Sequence, residues 1–471
     1  MCYNSIVCNK NISDGNELIM KQKEKNAMDM TQGSLWKNIF LFSMPLVLAQ
    51  LLEVMFNLSD VAVVGQFADY RALGAVGSTT ILVTLFTGFL IGMGSGVNVQ
   101  VALGLGAKND KTVEKTIHTA FLICAAIGIV IGVFCILFAR SMLQALHTKS
   151  DLIDAAVLYL KIYALGMPAM AVYNFGNGVL SAKGDTKSPL IYLAVAGVLN
   201  IIMNLIFVIG FHLAAAGVAI ASAIAQYVSM LLVMRNLLKR RDVCRLQISK
   251  IKFHKDVAKG ILLMGIPTGM QNAIFALANL FVQRGVNYFY TIMVSGNAAA
   301  TNADAIIFNV MSAFYTGCAS FMSQNRGAGN RERMKKSYLV ALTYSFLIGL
   351  FLGACLFFGG RYFLRAFATD RAVIDAGMER IKIMAFAYSI SAFMDCTIAA
   401  SRGLGKSIGP MIIVMLGSCV FRIIWVYTIF AHFHTIPSLY LLYPFSWTLT
   451  AIAEIVYFIV QFRKVMPKSR I

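Results

Sequence analysis

Charge is what this sequence has least of. Asp, Glu, Lys and Arg make up 13% of its 471 residues while 58% are hydrophobic, against roughly a quarter charged in a soluble domain. A chain so composed cannot cover its apolar side chains with polar surface in water. The signatures of chemistry are missing as well. No His-Glu-x-x-His, no Gly-x-x-x-x-Gly-Lys phosphate loop and no paired aspartates suited to a metal-bound diphosphate occur, which argues against membrane proteases and transferases and excludes ATP hydrolysis by this chain alone. The nine cysteines are dispersed. Cys124, Cys135, Cys318, Cys355, Cys396 and Cys419 lie in apolar runs with no metal-ligand spacing, as expected of reduced, buried, small side chains. No cofactor and no resident metal is expected, beyond a transported Na+.

What is present is a series of long apolar runs. Each is long enough, as a helix, to cross a hydrocarbon layer about 30 Å thick, and helices satisfy their own backbone where lipid offers no partners. The runs fall at 38–64, 74–103, 117–139, 155–180, 189–210 and 215–237, then at 260–283, 298–323, 338–360, 381–401, 409–430 and 439–461. Twelve helices are expected, in an all-α polytopic membrane protein. The first thirty residues are polar, contain Lys10, Lys21, Lys23 and Lys25, and lack a signal-peptide layout; a cytoplasmic tail, or an over-extended start with Met28 or Met30 as the true one, is expected there.

The net charge of +20 would suggest nucleic acid in a soluble protein, but here the basic residues cluster in alternate loops. With both termini inside, about 30 of the 41 basic residues fall on the inner side, including Lys108, Lys111 and Lys115, the stretch Lys239 to Lys259, and Arg331, Arg333, Lys335 and Lys336. That is the positive-inside bias. No nucleic-acid partner is expected; lipid of the cell membrane is.

The sequence also repeats. Shifted by about 221 residues, Pro45 meets Pro267, Gly106-Ala107-Lys108-Asn109 meets Gly327-Ala328-Gly329-Asn330, and the loop 181–189 meets 402–410. Six spans is an even number, so the halves are parallel repeats related by an axis near the membrane normal. The expected organisation is a tail (1–37), an N-lobe (38–237), a basic linker (238–259), a C-lobe (260–462) and a second tail (463–471). A cleft between two such lobes can open to either side by rocking, which is the architecture of alternating access.

Taken in order, Thr31-Gln-Gly-Ser-Leu-Trp36, Ser43-Met-Pro-Leu46, Asn57-Leu-Ser-Asp-Val-Ala-Val-Val-Gly65, Gly106-Ala-Lys-Asn109, Gly184-Asp-Thr-Lys-Ser-Pro189, Gly265-Ile-Pro267, Gly327-Ala-Gly-Asn330 and Arg402-Gly-Leu-Gly405 resemble the multidrug and toxic compound extrusion (MATE) transporters. The resemblance covers residues 31 to about 465. It implies a monomeric antiporter that exports bulky, often cationic and aromatic drugs or metabolites against Na+ or H+. Asp60 matches the family's first-helix aspartate and Asn200 its fifth-helix asparagine.

The residues point the same way. A carboxylate inside an apolar helix is costly and marks ion or proton paths, although Asp60 near the end of its span is also placed to meet headgroup water. Glu53, Asn57 and Asp60 follow at i, i+4 and i+7 on one helix face, and Glu53 suits either a functional or a structural hydrogen bond. Asn200 and Asn204 stand one turn apart. Many relatives carry an aspartate where Asn204 stands, which puts a two-carboxylate site in doubt; Phe275 replaces the glutamate of another branch, so that branch's cation site does not carry over. Pro45 permits a bend. In the second lobe Asp304, Asp395, Arg422 and Glu454 are expected to form a charge network, with Asp395 and Arg422 paired, Glu454 as third member, and Asp304 either a helix cap or a cleft residue. Gly88, Gly92 and Gly96 are expected at close helix contacts. A flippase for a lipid-linked precursor shares this fold and would need a strongly basic cleft. A major-facilitator carrier is disfavoured by the loop at Gly104–Asp110, and a channel or receptor leaves the repeat and the intramembrane carboxylates unexplained.

Overall fold

The computed structural model describes residues 28–467; the expectations for 1–27 and 468–471 lie outside these. The first half consists of α1 (Leu35–Phe67), α2 (Tyr70–Gly106), α3 (Asp110–Ala145), α4 (Ile153–Leu165), α5 (Met167–Ala182), α6 (Lys187–Gly210) and α7 (Ala214–Lys239). The second consists of α8 (Lys255–Val286), α9 (Thr291–Gly327), α10 (Arg331–Arg365), α11 (Arg371–Gly403), α12 (Ile408–Phe433) and α13 (Ile436–Val465). Helices α4 and α5 bend by 43° into one broken span, which makes twelve. The break falls at Gly166, with Pro168 two residues on: proline suits a helix start, and its missing N–H interrupts the preceding ladder. Outward faces carry large apolar side chains, among them Leu137, Phe351 and Phe358, the last 81% exposed. Contiguous apolar exposure on this scale suits lipid and not water.

The repeat is built into the turns. Lys108 and Gly329 both adopt left-handed backbone, at φ 51° and 70°, and the next residues, Asn109 and Asn330, cap α3 and α10 by accepting from Thr112 N at 3.1 Å and Arg333 N at 2.9 Å. Gly184 and Gly405, also one repeat apart, are left-handed at 89° and 67°. Even the proline sites match. Near Pro45, Thr186 Oγ1 donates to the Phe42 carbonyl at 2.9 Å; near Pro267, Ser407 Oγ donates to that of Met264 at 3.2 Å. A hydroxyl from the equivalent loop thus compensates the weakened ladder in each lobe. Both proline helices continue through the site.

The halves meet where side chains are smallest. A β-carbon added to Gly92 would lie 2.3 Å from Gly269 N, and one added to Gly96 would lie 2.5 Å from Gly265 N. Gly88 faces Asn272. These glycines on α2 are contact sites, as expected, because apolar helices in lipid gain affinity by close packing more than by hydrophobicity. At the end of the bundle bearing the basic loops, the repeat-related helices α2 and α9 meet each other: Ser320 Oγ donates to Asn98 Oδ1 at 2.9 Å, and a β-carbon on Gly106 would fall 1.9 Å from the Gln324 carbonyl.

Residues 28–34 are not a free tail. Met30 is fully buried, its N–H donates to Gln324 Oε1 at 3.2 Å, and its carbonyl accepts from Asn325 Nδ2 at 3.1 Å and Arg333 Nε at 3.0 Å. Arg333 also donates to the carbonyls of Gln32 and Gly33, while Gln324 Nε2 reaches Ala182 O across the lobes at 2.8 Å. The linker is likewise fixed: His118 Nε2 accepts from Gln247 N at 3.0 Å, and Thr119 Oγ1 accepts from His254 N at 3.1 Å.

Candidate functional site

Two polar sites lie within the apolar bundle. The first joins α1, α6 and α7. Asp60 Oδ1 accepts from Asn204 Nδ2 at 2.5 Å and Oδ2 from Ser222 Oγ at 3.2 Å. Asn200, with its amide nitrogen turned toward the carboxylate, donates to Oδ1 at 2.9 Å. Asn200 and Asn204 are buried, and Asn204 Oδ1 has no donor among the described residues. A carboxylate and an orphaned amide oxygen in one enclosure form a hard oxygen donor set that suits Na+ or a shared proton. Immediately after Asn204 the helix widens into π-helix over Ile206–Gly210, a departure from the ladder that recurs at functional sites.

Of the expected N-lobe residues, then, Asp60, Asn200 and Asn204 come together, and Ser222 joins them. Ser222 was hidden from sequence inspection because a lone serine on an Ala-rich helix carries no motif. Asn57 is exposed and Glu53 half-buried, and neither makes a hydrogen bond to this cluster among the described residues. Pro45 lies four turns before Asp60 on the same helix, far from the carboxylate.

The second site is a cavity of about 630 Å³, walled mainly by α8, α9, α11, α12 and α13 of the C-lobe and closed by Gln50 of α1 and Ile91, Gly92 and Ser95 of α2. Its ionisable lining comprises Asp304, Asp395, Arg380, Arg402 and Arg422. The expected Asp395–Arg422 pair does not form. Asp304 is taken instead by Arg380 and by the Tyr388 hydroxyl, and Arg380 also donates to Asn297 Oδ1 at 2.6 Å. Asp304 sits well inside α9 and faces the cavity, so it is not a helix cap. Arg422 is 3% exposed, donates to Asn279 Oδ1 at 3.1 Å, and stacks with its guanidinium carbon 4.7 Å from the Tyr443 ring centroid and 5.8 Å from that of Phe275. Arg402 donates to Gln271 Oε1 at 2.8 Å. Glu454 is absent from the lining; it is fully buried in α13, and both its oxygens lack a donor among the described residues.

Arg380 and Arg402 were missed because hydropathy ends a span at a charge. The expected span 381–401 stops one residue short of each, whereas α11 runs from Arg371 to Gly403. Arg422 stands within one residue of the repeat counterpart of Asn200 and between two π-helical stretches, Met415–Val420 and Val426–Phe430. Next to the repeat counterpart of the Asn200 amide the second lobe therefore carries a guanidinium, in a lining that also holds two aspartates.

A twelve-helix bundle of two parallel repeats with polar sites inside each lobe defines a membrane transporter of the MATE type. The MatE family model matches residues 45–206 and 267–428, one stretch beginning at each repeat proline, and the chain belongs to that family. Among curated proteins it is similar to the probable multidrug resistance protein YpnP of Bacillus subtilis (strain 168), 27% identical over 362 residues that cover 77% of this chain and 81% of that one. It is also similar to the FAD transporter of Shewanella oneidensis, 24% identical over 359 residues, 74% and 77% of the two chains. Among solved structures, MATE in complex with MaL6 superposes with a TM-score of 0.87 at 18% identity over 93% and 98% of the chains. So does the outward-facing conformation of a multidrug resistance MATE transporter of the MOP superfamily, with the same score and coverage. These shared folds have twelve helices in two lobes.

Proposed function

We propose that this chain is an antiporter of the cell membrane that exports bulky aromatic drugs or metabolites in exchange for Na+ or H+, with Asp60 in the coupling site and the C-lobe cavity receiving the substrate. The observation that carries the reading is the Asp60–Asn200–Asn204–Ser222 cluster, an ionisable group with an unused oxygen beside it inside an apolar lobe. A coupling ion and a substrate in separate lobes communicate through rocking of the lobes, because each binds one arrangement better than the other. The division into N-lobe (38–237), basic linker (238–259) and C-lobe (260–462), with termini and basic loops in the cytoplasm, belongs to the same reading. On that orientation the glycine contacts and the docked residues 28–34 seal the cytoplasmic end, and the cavity opens outward. Probable multidrug resistance is what YpnP's name records for that protein, and the FAD transporter supports extending the reading to metabolites.

The test is efflux from proteoliposomes of a panel of fluorescent aromatic compounds, cationic, neutral and anionic, under an imposed Na+ or H+ gradient. The reading expects at least one gradient to drive efflux of at least one compound; no efflux under either contradicts it. A flippase for a lipid-linked precursor is the second reading, and it gains from the three arginines lining the cavity, a more basic cleft than the hydropathy spans indicated. It expects gradient-independent scrambling of a fluorescent anionic lipid in the same vesicles.

A further inference from the structure

Arg402 and Arg422 both face the C-lobe cavity, and neither has a carboxylate within 4.0 Å among the described residues. Their Nε atoms are buried without acceptors. Asp395, which senses both of them, has no hydrogen bond or ion pair of its own. With Asp304 committed to Arg380, two guanidiniums face one unpaired carboxylate in the lining, which as a whole sets three arginines against two aspartates; Glu454, buried outside the lining, lies near Arg402 without pairing with it.

Burying a guanidinium without a counter-ion is expensive in any low-dielectric setting. Such a site persists when a ligand supplies the missing charge, and a guanidinium fork matches the paired oxygens of a phosphate or carboxylate. The forks are held in place. Gln271 fixes one end of Arg402; Asn279, Tyr443 and Phe275 fix Arg422. Beside them Trp447, Phe308 and Phe275 also line the cavity, an aromatic wall for a flat body. An organic cation would meet two guanidiniums against the single free carboxylate of the lining, which opposes what the rings return.

We infer that the C-lobe cavity binds an aromatic compound bearing a phosphate or carboxylate, with Arg402 and Arg422 receiving the anionic group and Asp395 weakening that grip so that the ligand can leave. The inference rests on the cavity being the substrate site of the proposed exporter. Flavin mononucleotide and riboflavin provide the test, since they share a ring system and differ by one phosphate.

Binding to the purified full chain in detergent, followed by flavin fluorescence, should be at least tenfold tighter for flavin mononucleotide than for riboflavin, and an ethidium probe should not displace it. Arg402→Gln with Arg422→Gln should abolish the difference between the flavins while leaving riboflavin binding, which also reports a folded cavity. Arg422→Lys should keep part of the preference, and Asp395→Asn should tighten flavin mononucleotide severalfold. Equal affinity for the two flavins in wild type, or tighter binding of ethidium, overturns the inference. Tight binding of dioctanoyl phosphatidic acid without flavin mononucleotide overturns its aromatic part and identifies the anion as a lipid headgroup. If an efflux panel shows gradient-driven export of cations alone, the exporter reading stands and this inference falls; if nothing is exported, the exporter reading falls whatever the flavins do.

Discussion

Asp60 sits where a single hydrogen bond has measurable consequences. Its Ser222 contact is a bond to a charged acceptor, worth about 1.5–3 kcal/mol. Ser222→Ala should therefore shift the coupling-ion concentration for half-maximal transport by roughly tenfold while leaving the protein folded, as checked by ion titration of efflux. An unchanged ion dependence would remove Ser222 from the site. Outside the membrane, Asp242 offers a pH test. Burial works to raise its pKa, but hydrogen bonding and charge from Arg240, with Lys183 near, outweigh it and hold the carboxylate below its ordinary value. A depressed folded pKa gives stability that is present above the unfolded value, about 3.9, and is lost as pH falls through the folded one. Asp242→Asn should thus lower the thermal midpoint at pH 7 by a few degrees, and the difference from wild type should shrink below about pH 4. Asp60, Asn200 and Asn204 were legible in the sequence because polar groups stand out against apolar helix. Ser222 did not, being one small residue among alanines, and the pairing of Asp304 was illegible because Arg380 lay just beyond the apolar run that defined its span.

At the scale of elements, the proline helices and glycine crossings make separate claims. Gly106 leaves no room for a side chain where α2 meets α9, since its β-carbon would fall on the Gln324 carbonyl. Gly106→Val should add roughly 1–3 kcal/mol of overpacking to this arrangement, enough to shift the ratio of conformers about fivefold or more. A cysteine placed on the cavity wall should then become more reactive from the basic side and efflux should fall; unchanged labelling would mean that the contact does not gate. All twelve spans were visible as apolar runs, and most helices extend past their runs, α11 by ten residues at its start, while α6 ends where its run does. Hydropathy reports where lipid touches the chain, whereas helix ends are set by caps such as Asn109 and Asn330. The bend between α4 and α5 was not visible as a break because both halves are apolar.

At the scale of the molecule, closure of the basic end depends on residues 28–34 bridging the lobes, with Arg333 holding three carbonyls of this segment. Arg333→Ala should destabilise the sealed arrangement and speed proteolysis or hydrogen exchange at that segment. Protection equal to wild type would assign the seal to the glycine contacts alone. The repeat was legible in full outline because turns need particular residues at particular positions, so Gly184 and Gly405 survive where helix faces have diverged. The arginines of the second-lobe cavity were not legible as a group, since the repeat shift aligns positions without showing which side chains share an enclosure.

The most direct measurement is simultaneous recording of ion influx and substrate efflux in proteoliposomes, for wild type and Asp60→Asn, with the best-exported compound of the panel. The account predicts coupled fluxes in wild type that cease together in Asp60→Asn while substrate binding to the C-lobe cavity survives. Coupled export that persists unchanged in Asp60→Asn would contradict it.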